Sequence, residues 1–140
     1  MISKLSEEES LSLLRGKRIA RLGCVAGLEP YVVPLNYVFE DRSVLSHSLP
    51  GRKLTAMREN PRVCVQVDDI TDLCSWKSVI AYGTYEEISE PIERARAMNR
   101  LLSFFPKLTP VESLIAEDAA PPAPVVFRIR VDSITGIGEG

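Results

Sequence analysis

Residues 44–69 read VLSHSLPGRKLTAMRENPRVCVQVDD, and the reading of this stretch decides the fold. Val44 to Ser48 are extended in character. Leu49-Pro50-Gly51 break the strand and Arg52 and Lys53 follow at once. Leu54 to Asn60 supply two helical turns, which Pro61 ends. Val63, Val65 and Val67 then alternate with Cys64, Gln66 and Asp68, the period of a half-buried strand. The order is therefore strand, basic turn, short helix, strand.

The chemistry of the stretch lies in its turn. A helix start presents unpaired backbone N–H groups and the positive end of the macrodipole. Ser46 and Ser48 place hydroxyls just before it. Arg52 adds a planar fork suited to phosphate oxygens and Lys53 a point charge. Together they compose a phosphate site; the same residues also read as an ordinary solvated helix start. No GK[ST] stands at the spacing of a P-loop.

Outward from this stretch, composition bounds the class. The 140 residues make one domain, 1–140, with 45% hydrophobic and 26% charged residues, the balance of a globular chain. A net charge of −2 argues against broad nucleic-acid binding, which needs a basic face. No apolar run approaches the ~20 residues of a membrane span. The opening MISKLSEEESL has no apolar core of a signal peptide, so a cytoplasmic protein without membrane contact is expected. Cys24, Cys64 and Cys74 form no CxxC, and the single histidine, His47, completes no Cys/His set. Reduced thiols and no metal site are expected.

Ser6 to Glu9 spell a capping box, which predicts a helix over 6–15 with Gly16 as its stop. Ile19 to Val25 read as a strand and Ala26 to Pro30 as a turn. Tyr31 to Phe39 follow as one strand, with Val33, Leu35, Tyr37 and Phe39 facing inward. Pro34 cannot donate to a ladder, so it belongs at an edge. Asn36, on the same face, offers a donor and an acceptor. That edge reads either as a place for a planar heteroaromatic or as an edge blunted against aggregation. Ser43 to Ser48 pair back as a hairpin. His47 reads either as a buried, hydrogen-bonded imidazole or as a group beside a ligand, able to titrate near neutral pH. Asp69 to Ser75 read as a polar connection and Trp76 to Ile88 as a long strand, with Gly83 marking a bulge. Trp76 is either a wall against a flat ligand or core. Ser89 is expected to cap a helix over 90–105 whose stripe is Ile92, Ala95, Met98, Leu102 and Phe105. A helical turn at 111–115 and a loop precede a closing strand, 125–131, with a short last strand at 134–137. Short turns between alternating strands favour a mainly β, α+β architecture: a barrel of six to seven antiparallel strands with a few flanking helices.

The order YVVPLNY, then VLSHSLPGRKLTAMRENPRVCVQVDD, then WKSVIAYGTYEEI resembles the pyridoxamine 5′-phosphate oxidase-related, FMN-binding split-barrel superfamily. It is most similar to the nitroimidazole-resistance-like and small flavoreductase-like members. The resemblance covers roughly residues 5–90. It implies a split-barrel homodimer with two FMN sites at the interface. Arg52 and Lys53 match the basic pair on the FMN phosphate. Ser46 and His47, with the neighbouring Ser48, match the strand end near the ribityl phosphate and ring. Val33, Pro34, Leu35 and Asn36 match the strand whose backbone meets the isoalloxazine edge. Ser78 matches a polar flavin-contacting position, where the oxidases usually carry glutamine, and Trp76 lies beside it. The chain ends VDSITGIGEG with no histidine after His47, which argues against pyridoxamine phosphate oxidation itself. The resemblance leaves two readings. One is an FMN-dependent oxidoreductase acting on a small flat acceptor, a nitro compound or quinone, with His47 orienting or protonating the substrate. The other is a non-catalytic module that holds flavin, deazaflavin or heme.

Overall fold

The computed structural model describes residues 1–105 and 123–140. Its sheet is antiparallel throughout and eight-stranded among these residues, as the alternating pattern requires. The main path runs β3 (Glu29–Asn36), β2 (Ile19–Ala26), β6 (Arg62–Asp72), β7 (Ser75–Glu87), β8 (Val125–Glu139), β5 (Ser43–Ser48) and β4 (Val38–Glu40). A two-residue β1 (Ser3–Lys4) joins the far end of β8. Three helices flank the sheet: α1 (Glu7–Gly16), α2 (Arg52–Glu59) and α3 (Pro91–Leu102). This is the split barrel expected from the sequence.

The split is visible at β3 and β5. No ladder joins these two strands among the described residues. A single side chain bridges them instead: the Ser46 hydroxyl, fully buried, donates to the Asn36 carbonyl at 2.5 Å. The inner face is filled by Leu22, Val65, Val67, Val79, Phe127 and Ile129, all 0% exposed, with Leu54 and Met57 of α2 beneath. Each such side chain contributes about 1.5–3 kcal/mol on burial. A second, smaller core lies on the other face, where Val38, Leu45 and Val126 meet Ala97 and Leu101 of α3.

Local chemistry explains several boundaries. Ser6 and Glu9 form the capping box of α1. At the other end of α1, the Leu14 carbonyl accepts from the buried Tyr37 hydroxyl at 2.7 Å. Gly16 is the last helical residue of α1 and the chain leaves at Lys17. The expected strand 31–39 is two strands. Tyr37 stands between β3, which pairs with β2, and β4, which pairs with β5. Its N–H turns to the Arg18 carbonyl and its side chain is fully buried, so the chain changes neighbours there. The turn before β3 is shorter than expected, only Gly27 and Leu28, because residues 29 and 30 already pair with Ala26 and Val25. The hairpin from β4 to β5 turns through Asp41 and Arg42 at φ 51° and 53°.

The polar segment 69–75 is mostly ladder: β6 runs to Asp72 and β7 begins at Ser75. Polar side chains there face solvent while their backbone pairs. Gly83 sits at a register shift against β8, as its position in the strand predicts. An added Cβ would lie 2.2 Å from the Arg130 carbonyl oxygen. The last two expected strands are one, β8, because β7 pairs with it along almost its whole length. The N-cap of α3 is Glu90, not Ser89; its carboxylate accepts from the Ile92 and Glu93 amides. The buried stripe of α3 is Ala97 and Leu101, whereas Ile92 and Leu102 are exposed. Met98 and Phe105 of the expected stripe do pack against the second core, so the spacing was right for a helix and right for part of its face. The expected helical turn at 111–115 lies outside the described residues.

Candidate functional site

The break at Leu49-Pro50-Gly51 ends β5 and starts α2. Gly51 is the N-cap and has no side chain with which to cap the helix. Helical pairing begins with the Thr55 amide on the Gly51 carbonyl at 3.1 Å. The amides of Arg52, Lys53 and Leu54 therefore point out of the N-terminus toward any anion placed there.

The two cations at this start differ in setting. The Arg52 guanidinium lies over the Tyr31 ring, 4.6 Å from its centroid. Stacking fixes the plane of the fork and leaves its edge N–H groups available. Lys53 is half-buried beside the Cys24 thiol. Burial holds its pKa below the ordinary lysine value, and Cys24 partly offsets the effect. The Cys24 thiol is pushed up by burial and by Cys64, with Arg52 and Lys53 acting against that rise. Of the other half-buried cations among the described residues, Lys17 meets Asp69 and Arg128 meets Glu86 and Glu93, whereas Arg18 and Arg94 donate to backbone carbonyls. Arg52 and Lys53 have no carboxylate partner among the described residues. A half-buried ammonium without an anion, a stacked guanidinium and three free helix amides form a donor set that fits a phosphate.

The remaining expected site residues fall into separate places. Ser46 and His47 are adjacent in a strand, so they face opposite ways. Ser46 faces the barrel core, and its one proton goes to Asn36. The Ser48 hydroxyl donates to the Leu49 carbonyl at 3.0 Å. Both hydroxyls thus spend their single proton on backbone carbonyls and keep their oxygen lone pairs as acceptors. His47 is half-buried and stands opposite Val126 in register, on the face that carries α3.

Val33 and Leu35 turn inward on β3, and Pro34 and Asn36 turn outward. β3 ends the sheet path, so Pro34 does stand on an edge strand. Ser78 and Trp76 lie on the outer face of β7. Ser78 accepts from Gln66 at 3.0 Å, Gln66 donates to Asp68 at 3.1 Å, and Arg21 donates to Asp68 at 3.0 Å. This polar chain crosses β2, β6 and β7. Tyr31, Cys24 and the Arg21–Gln66 chain escaped the sequence reading. Only the hairpin register, which sets Tyr31 opposite Cys24, brings those two residues to α2.

A family model described as pyridoxamine 5′-phosphate oxidase matches residues 6–137. The chain belongs to this family. Among solved structures, this member of the pyridoxamine 5′-phosphate oxidase family is similar to the FAD-binding protein mll6688 of Mesorhizobium loti. The two share 34% identity over 100% of this chain and 99% of that one, with a TM-score of 0.80. A candidate 5-nitroimidazole antibiotic resistance protein of Bacteroides thetaiotaomicron has the same fold. It shows 21% identity over 99% and 87% of the two chains and a TM-score of 0.75. A curated relative, protein RA0666 of Rhizobium meliloti (strain 1021), is 34% identical over 84 residues, 60% of this chain. That match spans 56% of the relative's length.

Proposed function

We propose that this protein binds a flavin by a phosphate held at the start of α2 and serves in reducing a small flat acceptor, a nitro compound or a quinone. The observation that carries the reading is Lys53, a half-buried cation with no ion-pair partner among the described residues, set beside a bare helix N-terminus and Arg52. Membership of the family and the relative described as FAD-binding support a flavin. FMN, free or as the FMN half of FAD, supplies the phosphate.

A flavin, when bound, supplies hydride transfer. The protein supplies position. Lys53 and the α2 amides bind the phosphate, and Arg52 is held against it by Tyr31. The edge of β3 at Val33 to Asn36 offers backbone groups to a planar ring. His47 is the residue of this reading that orients or protonates the acceptor.

Val32, Ile19 and Ile137 are 69%, 62% and 45% exposed on the outer face of the sheet. That apolar face supports a homodimer, within which Trp76 and Ser78 serve a flavin bound across the interface. The three free thiols support a reducing, cytoplasmic setting. Absorbance of the purified protein and mass spectrometry of what heat releases test the reading. A flavin spectrum is the expected result. A colourless protein that takes up neither FMN nor FAD overturns it. Loss of flavin on dilution to monomer is the expected sign of a shared site.

A further inference from the structure

Four side chains make a polar island on the outer face of the sheet. Arg21 of β2 stands opposite Gln66 of β6, and Asp68 of β6 opposite Ser78 of β7. The next residues along these rows are apolar on one side of each: Ile80 beside Gln66 and Ile137 beside Ser78. Gln66, Asp68 and Ser78 are half-buried.

The hydrogen bonds of the island fix which end of the Gln66 amide faces where. A carboxylate paired with a guanidinium only accepts. Asp68 accepts from Arg21 at 3.0 Å, so the group of Gln66 that lies 3.1 Å from the same carboxylate oxygen is the NH2. The second proton of that NH2 goes to the Ser78 oxygen at 3.0 Å. Both donors of the amide are thus spent inside the island, and Oε1 is left as an acceptor. The amide cannot flip without turning Oε1 onto the Asp68 carboxylate. Because the Ser78 oxygen accepts from Gln66, the Ser78 proton is left to donate elsewhere.

An acceptor of fixed sense beside a hydroxyl donor is the complement of a ring imide, in which an N–H stands next to a carbonyl. The pyrimidine half of a flavin ends in such an imide. We propose that Gln66 positions the flavin ring by reading this edge. Gln66 Oε1 accepts from the imide N–H, and the Ser78 hydroxyl donates to the neighbouring ring carbonyl. Asp68, held by Arg21, is a positioning residue that keeps the Gln66 amide in its accepting sense. Ile80 and Ile137 flank the pair with apolar surface suited to a flat ring. This inference rests on the flavin reading above and adds to it the residue that selects the ring.

Titration of the purified full chain with FMN and with FMN methylated on the imide nitrogen, followed by flavin fluorescence, tests it. The parent is expected to bind FMN at least about tenfold more tightly than the methylated form. Gln66→Met keeps the length of the side chain and removes the acceptor. It is expected to weaken FMN about tenfold and to bring the two forms within about twofold of each other. Asp68→Asn frees the Gln66 amide to flip and is expected to cut the preference at least about threefold. Neither change touches α2, so the preference for FMN over riboflavin is expected to stay within about twofold of the parent's. Equal binding of the two FMN forms by the parent, which needs no variant to fold, overturns the assignment. A parent-like preference in Gln66→Met overturns it as well. In both cases a retained preference for FMN over riboflavin leaves the phosphate site standing. Binding of no flavin overturns both.

Discussion

Lys53→Met separates what Lys53 does for a ligand from what it does for the fold. In the folded chain its ammonium is drawn partly out of water with no carboxylate paired to it among the described residues, and its pKa is lowered by that burial. A group whose pKa is lower folded than unfolded opposes folding while it is charged. The penalty is present in full at neutral pH and is relieved as the pH rises toward the ordinary value of 10.5. Methionine keeps an unbranched stem of similar length and carries no charge. The variant is therefore expected to melt at or above the parent temperature at pH 7. Its advantage shrinks as the pH rises through the lowered folded pKa toward the ordinary lysine value.

The effect on ligand runs the other way. A charge-assisted hydrogen bond to a phosphate contributes about 1.5–3 kcal/mol. Its loss is expected to weaken FMN about ten- to a hundredfold. Riboflavin has no phosphate, so its affinity should stay within about twofold. Fluorescence titration with both ligands and thermal melts at two pH values make the test. Parallel losses for FMN and riboflavin would refute the phosphate assignment. A melting temperature lowered by several degrees would show that Lys53 serves the fold. The pairing of gained stability with lost binding is the expected mark of a residue kept for function.

Ser46→Ala removes the fully buried hydroxyl that bridges the split and leaves the Asn36 carbonyl without that donor. It is expected to cost about 1–3 kcal/mol in a denaturant melt, whereas an ordinary exposed serine would cost almost nothing. Gly83→Ala puts a Cβ 2.2 Å from the Arg130 carbonyl oxygen, which is backbone and cannot swing aside. A loss of about 1–3 kcal/mol or more is expected, and an unchanged midpoint would show that the bulge is looser than drawn. His47→Ala is expected to lower turnover with nitro or quinone acceptors while flavin affinity stays within about twofold. Loss of flavin binding in step with turnover would assign His47 to the cofactor and not to the acceptor.

The antiparallel barrel was legible because its signals are local. Period-2 alternation at Val63 to Val67, the capping box at Ser6 to Glu9 and the bulge at Gly83 each act within a few residues. The basic pair after Leu49-Pro50-Gly51 was legible for the same reason. The errors fell where a distant partner decided the outcome. Tyr37 leaves its strand because a helix carbonyl 23 residues away takes its hydroxyl. Ser46 also acts as a bridge that the sequence did not show, because the barrel brings Asn36 to it. The stripe of α3 was only partly right, Met98 and Phe105 packing and Ile92 and Leu102 not, because the core it meets, Leu45 and Val126, comes from strands far away in the chain.

The same division holds at the site. The order of residues alone determined that a short helix would begin bare, behind a glycine and with two cations. Three things were left to tertiary structure: that Arg52 would rest on Tyr31, that Lys53 would lose water without gaining a paired carboxylate among the described residues, and that Arg21, Gln66 and Ser78 would join across three strands. Backbone breaks and charges are properties of neighbours in sequence. Desolvation, stacking and cross-strand networks exist only once separate strands have been packed against one another and against one helix.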